Sequence, residues 1–552
     1  MILLSKFLSN FTLGHLLLRP LEGTWLGLHE YDGLLEDISP SGLQNQILFY
    51  QDSLRTAKKY IPRHKDPNAQ LNLHHIASVC QFNLHLLRER PEHGSDLELL
   101  FEIYETLSAQ ELWAASPSSW ENIANRTLAF TSFLDRLARN VLPRASSRLT
   151  PDKRFVQDMI HSIPFIADHF ERMGTRALKS LGNRANQKLL VRIGIAGGSA
   201  AESVRGFGLF AQKDLLSRSR TNYAIGSSEY SFRLNVGLGI HQNPKQLQRF
   251  GHDLLKQIHS RMHSILHAQG WKGSLPQVLE RLSRRSPHND RELFKLYRSL
   301  TDRTQDFVQS KNIFSRIPKY ILKIIPTPLG MGEAITTAAY FPAPPFDPKQ
   351  KGSFLVTPSR GDKKRLKAHV VYHAVSTAVH EAFPGHDMQY FLWQTIKPRL
   401  PVLRFLKGDP KNWGESLNVE GYAHYAEELM RQHGFYSPEE ELFQLAGQAW
   451  RAARIVVDIG LHCYGMSVKE AARFLEKNAF LDPKTADGEA FRYTKWPTQA
   501  VTYSLGKREI EKLKEKFQES LNGGYTEARF HDWFLKFGPI PPNRIQKVPG
   551  TF

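Results

Sequence analysis

Cysteine is nearly absent: Cys80 and Cys463 are the two in 552 residues. Two thiols exclude a disulfide framework and a four-cysteine zinc site, and they suit a reducing compartment. Acidic residues are in deficit, 54 Asp and Glu against 73 Lys and Arg, for a net charge of +19. The basic residues are spread in small clusters such as Arg281/Arg284/Arg285 and Lys363/Lys364/Arg365, with no helix-turn-helix or zinc-finger signature among them. A diffusely basic surface is expected, with no specific nucleic-acid partner. Also missing is any run of about 18 uncharged apolar residues, so no transmembrane helix is expected. Met1 to Leu18 leans apolar, but Lys6, Asn10 and His15 interrupt it, and Arg19-Pro20-Leu21-Glu22 follows in place of a small-residue cleavage site. That pattern argues against a signal peptide and for a cytoplasmic protein. No G-x-G-x-x-G, Walker or G-x-S-x-G pattern occurs, which removes the dinucleotide, P-loop and α/β-hydrolase readings.

What is present is mostly helix. Apolar content of 41% and charged content of 23% are those of a packed globular chain. Helical periodicity marks 97–112, 122–141, 244–269 and 291–309, then 365–382, 417–433, 437–457, 467–476 and 506–519. Two stretches differ. Residues 189–195 form a short apolar run before Gly197-Gly198, which reads as a turn ahead of a helix. Residues 337–358 read as two short strands around a Pro-rich turn. The length allows about two to four domains or one large helical unit. A boundary near 310–335 is expected, dividing an N-terminal helical lobe, 1–310, from a C-terminal catalytic lobe, 311–552.

The chemistry concentrates in Val379-His380-Glu381-Ala382-Phe383-Pro384-Gly385-His386. A His-Glu pair ending an apolar helical run is how many zinc hydrolases begin their metal site, usually as H-E-x-x-H with both histidines on one helical face. Here Pro384 takes the fifth position. It cannot donate to the carbonyl of His380 and pushes Phe383 out of helical geometry, so the helix must distort beside the proposed ligand. On an ideal helix His386, at i+6, lies roughly 120° from His380. A kink at Pro384-Gly385 would swing it back; Asp387, at i+7, needs no kink and is the rival ligand. A third protein ligand is needed, and Glu420 supplies it. His424 and Glu427 follow at i+4 and i+7 on the same helical face. The competing reading makes these ordinary solvated helix charges.

Taken together, these residues resemble the bacterial "domain of unknown function 885" group, whose members are similar to zinc peptidases such as carboxypeptidase Taq and thimet oligopeptidase. The resemblance runs along nearly the whole chain. It begins with Thr24-Trp25-Leu26-Gly27-Leu28-His29-Glu30-Tyr31-Asp32 and includes the Pro-rich stretch from Tyr340 to Pro358. His380-Glu381-x-x-Pro384-Gly385-His386 and Glu420-Gly421-Tyr422-Ala423-x-Tyr425-Ala426-Glu427 follow. Arg454-x-x-x-Asp458-x-Gly460-x-His462 comes next, then Arg492-Tyr493 through Pro497, Gln499, Ala500, Tyr503 and Gly506, and finally His531-Asp532 and Gly538. The chain departs from the family pattern at Asp387, where members often carry histidine, at Tyr422 and His424, often Trp and Leu, and at Thr498, often Gly. The loss at 387 favours His386 as the ligand.

The resemblance implies a mainly α, zincin-like metallopeptidase fold with a small β element near 337–357 and an active-site cleft between helical lobes. It implies Zn²⁺ held by His380, His386 and Glu420, with Glu381 as general base and peptides as substrates. Tyr503 and His462 are the implied oxyanion donors, and Arg492 the group that grips a substrate carboxylate with a two-pronged hydrogen bond, as a carboxypeptidase needs. His424, Glu427 and Asp458 are expected to orient the ligands. Each role has a plainer rival: His462 as a core histidine, Tyr503 as a packed helix residue, Arg492 as a partner for Asp458. The strand near 337–357 is expected to pair with an extended peptide near His380. Two other functions compete: a basic helical scaffold or nucleic-acid-binding protein with an inactive metal site, and a zinc hydrolase of non-peptide amides.

Overall fold

The computed structural model describes residues 2–89, 95–141, 151–221, 223–328, 335–408, 413–521 and 523–545. Among them helix dominates, with one three-stranded sheet, which is the mainly α architecture expected. No helix of the described residues is long and apolar enough to cross a membrane.

The chain forms two compact units, Met1–Tyr223 with Leu406–Pro410, and Ala224–Phe405 with Lys411–Phe552. The division therefore falls earlier than the expected boundary near 310. The reason lies in helix Pro244–Ala268, which buries Leu247, Gly251, Leu255, Ile258 and Met262 and packs on helix Pro438–Cys463 of the second unit. Gly251 sits there against Ile455 and Val456. Periodicity revealed this apolar stripe but not which later helix would cover it.

The first unit is a helical body around Leu100, Ile103, Leu107, Trp120, Phe130, Phe133 and Phe170. Residues 189–195 are not followed by a turn; they open helix Gln187–Phe210, N-capped by Asn186 accepting from the Leu189 N–H. Its buried residues, Leu189, Ile193, Ala196, Gly197, Ala200 and Val204, fall at helical spacing. Gly197 is there for packing, because a Cβ would press on the Phe170 carbonyl of a neighbouring helix.

In the second unit, 337–357 folds as read from the sequence. β2 (Ala338–Phe341) runs antiparallel to β3 (Ser353–Val356), with Tyr340 opposite Phe354. β1 (Lys323–Pro326), four residues ending in proline and absent from the sequence reading, adds parallel to β3. The order β1-β3-β2 leaves β2 at an edge. The expected helix 365–382 begins late: a 3₁₀ turn, Lys363–Ala368, precedes helix Val371–Glu381. Helix Trp413–Gln432 and helix Thr502–Ser520 pack at backbone distance. At their crossing Gly421 and Gly506 face each other; a Cβ on Gly506 would overlap the Leu417 carbonyl oxygen, and one on Gly421 would meet the Gly506 backbone. This contact sets Glu420, next to Gly421, beside Tyr503, one helical turn before Gly506.

Candidate metal centre

Helix Val371–Glu381 buries Ala374, Val375, Ala378 and Val379, and this anchors His380 at its last turn. Ala382, with φ −113° and ψ −95°, leaves the helix. The chain then passes through Phe383-Pro384, and a new helix, His386–Thr395, starts at the second histidine. The expected distortion is thus a complete break. Gly385 makes it possible: its N–H bonds to the Val379 carbonyl at 3.0 Å, and a Cβ there would collide with the carbonyl oxygens of Val379 and His380. The turn folds His386 back against His380, ring centroids 4.8 Å apart and planes at 87°.

Glu420 completes the cluster. One ligand atom from each of His380, His386 and Glu420 lies within 4.8 Å of the others, the only such group among the described residues. Glu420 Oε2 is 3.4 Å from His380 Nε2 and 3.6 Å from His386 Nε2. Ligands about 2.1 Å from a tetrahedral ion stand roughly 3.4 Å apart, so both edges fit zinc. The histidines are buried and Glu420 Oε2 is a buried acceptor without a hydrogen-bond partner. Two nitrogens and one carboxylate oxygen are a donor set suited to Zn²⁺.

His380 is oriented from its other nitrogen. Nδ1 donates to Glu427 Oε1 at 2.8 Å, leaving Nε2 as the nitrogen turned to the cluster. His424 Nδ1 and Arg451 Nη2 lie 3.6 and 3.8 Å from the same Glu427 oxygen. Burial works against charge on His380, but the neighbouring Glu420 and Glu427 carboxylates outweigh it and raise its pKa to about 9. Burial likewise opposes the Glu420 carboxylate, yet His380 and His386 hold it well below the usual range. The pocket therefore favours positive charge at the point where the three side chains meet.

Asp387 is buried but turned elsewhere. It accepts from the Tyr320 hydroxyl at 2.8 Å, and burial lifts its pKa to about 6 against the tyrosine hydrogen bonds. Glu381 Oε2 accepts the backbone N–H of Tyr340 at 2.8 Å. That bond ties the edge strand β2 to the end of the His380 helix, so the strand lies beside the cluster as anticipated. The Tyr340 ring stacks on His386 at 6.2 Å.

Of the remaining candidates, Tyr503 lies at the cluster, its ring 6.4 Å from His380 and nearly parallel to it. His462 is a buried member of another network: Nε2 bonds the Tyr493 carbonyl at 3.0 Å, and its ring stacks on Tyr230. Asp458 belongs with it, accepting from the Tyr230 hydroxyl at 2.5 Å and the Thr498 N–H at 3.0 Å. Burial raises the Asp458 pKa to about 7. Arg492 partners Glu489, not Asp458, through Nε at 3.1 Å and Nη2 at 2.7 Å. Sequence reasoning missed Tyr340, whose part is played by a backbone N–H that no side-chain motif records. It also missed Glu489, although its i,i+3 spacing to Arg492 was a usable signal.

All of these residues belong to the second unit. The whole fold has solved counterparts. "The crystal structure of the putative lipoprotein from Colwellia psychrerythraea" superposes with a TM-score of 0.81 at 20% identity, covering 99% of this chain and 98% of that one. "The structure of a putative lipoprotein of unknown function from Shewanella oneidensis" gives 0.75 at 18% identity, with 99% of both chains covered. At such identities the likeness speaks to fold alone. No curated protein matches the sequence. A family model described as "Bacterial protein of unknown function (DUF885)" matches residues 20–548, nearly the whole chain, and this protein belongs to that family.

Proposed function

We propose that this chain is a zinc-dependent peptidase. The observation that carries the reading is the convergence of His380, His386 and Glu420, one ligand atom of each within 4.8 Å of the others, with Glu420 Oε2 3.4 and 3.6 Å from the two histidine Nε2 atoms. These three side chains would hold the ion. Bound there, zinc supplies Lewis acidity that lowers the pKa of a water and polarises the scissile carbonyl. Glu381 takes a proton from the attacking water and delivers it to the leaving amine as the C–N bond breaks. The Tyr340 N–H fixes one carboxylate oxygen of Glu381, which leaves the other for the water. Tyr503, beside His380, donates its hydroxyl to the oxyanion. His462 acts indirectly, as part of the buried Tyr230–Asp458 network. The Tyr340 N–H is directed at Glu381, at the edge of the sheet. A peptide added along this edge lies beside Glu381.

The test is digestion of a peptide library by the wild type and by Glu381→Gln. Cleavage by the wild type alone is expected; equal cleavage by both ends the mechanistic claim. For the compartment we propose the cytoplasm, on the strength of two unbridged thiols, Cys80 and Cys463. Both solved counterparts carry "lipoprotein" in their descriptions, so cell fractionation decides, and recovery with membranes would remove the cytoplasmic assignment.

A further inference from the structure

Tyr503 reaches the candidate metal centre from a position that does not by itself aim a side chain. It is the second residue of helix Thr502–Ser520, which has no side-chain N-cap, and helix ends fray. The contact of Gly421 with Gly506, one turn on, fixes the backbone, but the ring torsion of a tyrosine is soft. The aim of the hydroxyl therefore depends on what packs against the ring.

Arg454 provides that packing. It lies on helix Pro438–Cys463 and is buried. Its guanidinium carbon stands 4.6 Å from the ring centre of Tyr503 and 4.6 Å from that of Trp450. Both distances are those of a cation–π contact, which burial strengthens. The guanidinium is itself held. Nε donates to the Tyr493 hydroxyl at 2.8 Å and Nη2 to Glu489 at 3.3 Å. The Tyr493 hydroxyl donates in turn to Glu489 at 2.6 Å and accepts from Trp450 Nε1 at 3.1 Å. A guanidinium fixed in this way offers the Tyr503 ring a flat, rigid surface. Tyr503 meets the His380 ring at 6.4 Å and 19° and stays half-buried. Burial raises the Tyr503 pKa, Glu420 adds to the shift, and Arg454 and Arg492 oppose it, so the hydroxyl feels both the cluster and the arginines. Arg451 is farther from the same ring, at 5.9 Å, and its Nη2 turns to Glu427.

We propose that Arg454 is a positioning residue: its stacked guanidinium holds the Tyr503 ring beside His380, with the hydroxyl toward the metal centre. The proposal deepens the peptidase reading and rests on it for the use of that hydroxyl as an oxyanion donor. Arg454 acts through Tyr503 and takes no part in the bond-breaking itself. Because Tyr493, Glu489 and Trp450 hold the guanidinium beforehand, the ring is aimed before substrate arrives, as a preorganised donor requires.

The first test needs neither zinc nor turnover. The full chain is labelled with 3-fluorotyrosine, and the Tyr503 signal in its fluorine NMR spectrum is identified by its loss in Tyr503→Phe. In Arg454→Met that signal is expected to move toward its position in the urea-unfolded chain, while the other tyrosine signals, Tyr493 aside, stay in place. Trp450→Leu, at a half-buried position, loosens the same stack and keeps the charge. It is expected to move the Tyr503 signal too, and it decides the matter if Arg454→Met does not fold. A Tyr503 signal unmoved in the folded variant overturns the proposal. So does a general displacement of the tyrosine signals, which marks a merely structural role. The second test is kinetic, on a peptide cleaved in the library digestion. Arg454→Met is expected to lower kcat about a hundred-fold with KM unchanged, as a displaced transition-state contact does. It is expected to cause no further loss in Tyr503→Phe. A loss as large in Tyr503→Phe as in the wild type overturns the proposal. Absence of cleavage by the wild type removes the peptidase reading and leaves the fluorine result to decide the positioning, so the two claims fail separately.

Discussion

Gly506→Ala and Gly488→Ala are the same substitution in two helices, and the structure gives them opposite signs. In an open helical position alanine is favoured over glycine by about 1 kcal/mol. Gly488, exposed in helix Pro483–Lys495, has no atom within 4 Å of an added Cβ, so it should collect most of that gain. Gly506 faces backbone: its Cβ would overlap the Leu417 carbonyl oxygen and crowd Gly421 Cα. Neither neighbour can swing aside as a side-chain tip would, so the two helices must part. Overpacking of this kind costs about 1–3 kcal/mol, and the upper end applies because backbone meets backbone. After the helical gain is subtracted, Gly506→Ala should destabilise by about 2 kcal/mol. Parting the helices also moves Glu420 against His380, so zinc affinity should fall about ten-fold or more. Urea unfolding followed by circular dichroism and a zinc titration against a competing chelator read the two effects. A Gly506→Ala protein as stable as Gly488→Ala, with undiminished zinc affinity, would refute the backbone contact as the device that sets the site.

Two further outcomes follow from the surroundings of the cluster. Glu427→Gln should weaken zinc binding about ten- to hundred-fold, because the His380 ring loses the carboxylate that orients it; chelator competition that finds no change would remove Glu427 from this role. Glu489 is buried, which alone would raise its pKa, but Arg492 and Arg454 overcome this and hold it at about 2. A depressed carboxylate pKa stabilises the fold above its unfolded value of about 4.5, and that stability is lost as pH falls toward 2. Urea midpoints between pH 6 and pH 2 should therefore decline less steeply in Glu489→Gln than in the wild type; parallel declines would contradict the assignment.

Much of this is legible in the sequence. The apolar spacing around Val375 and Val379 located the helix that carries His380, and Pro384-Gly385 announced the distortion behind it. What sequence could not fix was its extent, because whether a proline kinks or ends a helix depends on what Gly385 packs against. His386 and Asp387 stayed rivals for the same reason: only the fold shows Asp387 bound to Tyr320 and His386 facing Glu420. Gly197-Gly198 misled because a glycine that admits a neighbouring helix looks, in sequence, like one that makes a turn. The boundary near 310 misled because a stripe such as Leu247–Met262 does not name its partner. Arg492 was marked as a site residue, but its i,i+3 partner Glu489 in the same helix, a local pairing that the spacing carries, was overlooked.

The central claim is that His380, His386 and Glu420 hold one zinc ion. Elemental analysis of the purified full chain, wild type beside Glu420→Ala, measures it directly. About one zinc per wild-type chain that survives gel filtration is expected, and little or none in a folded Glu420→Ala protein. A wild-type chain that retains no zinc when supplied with it, or an equal content in both proteins, would remove zinc from these three side chains.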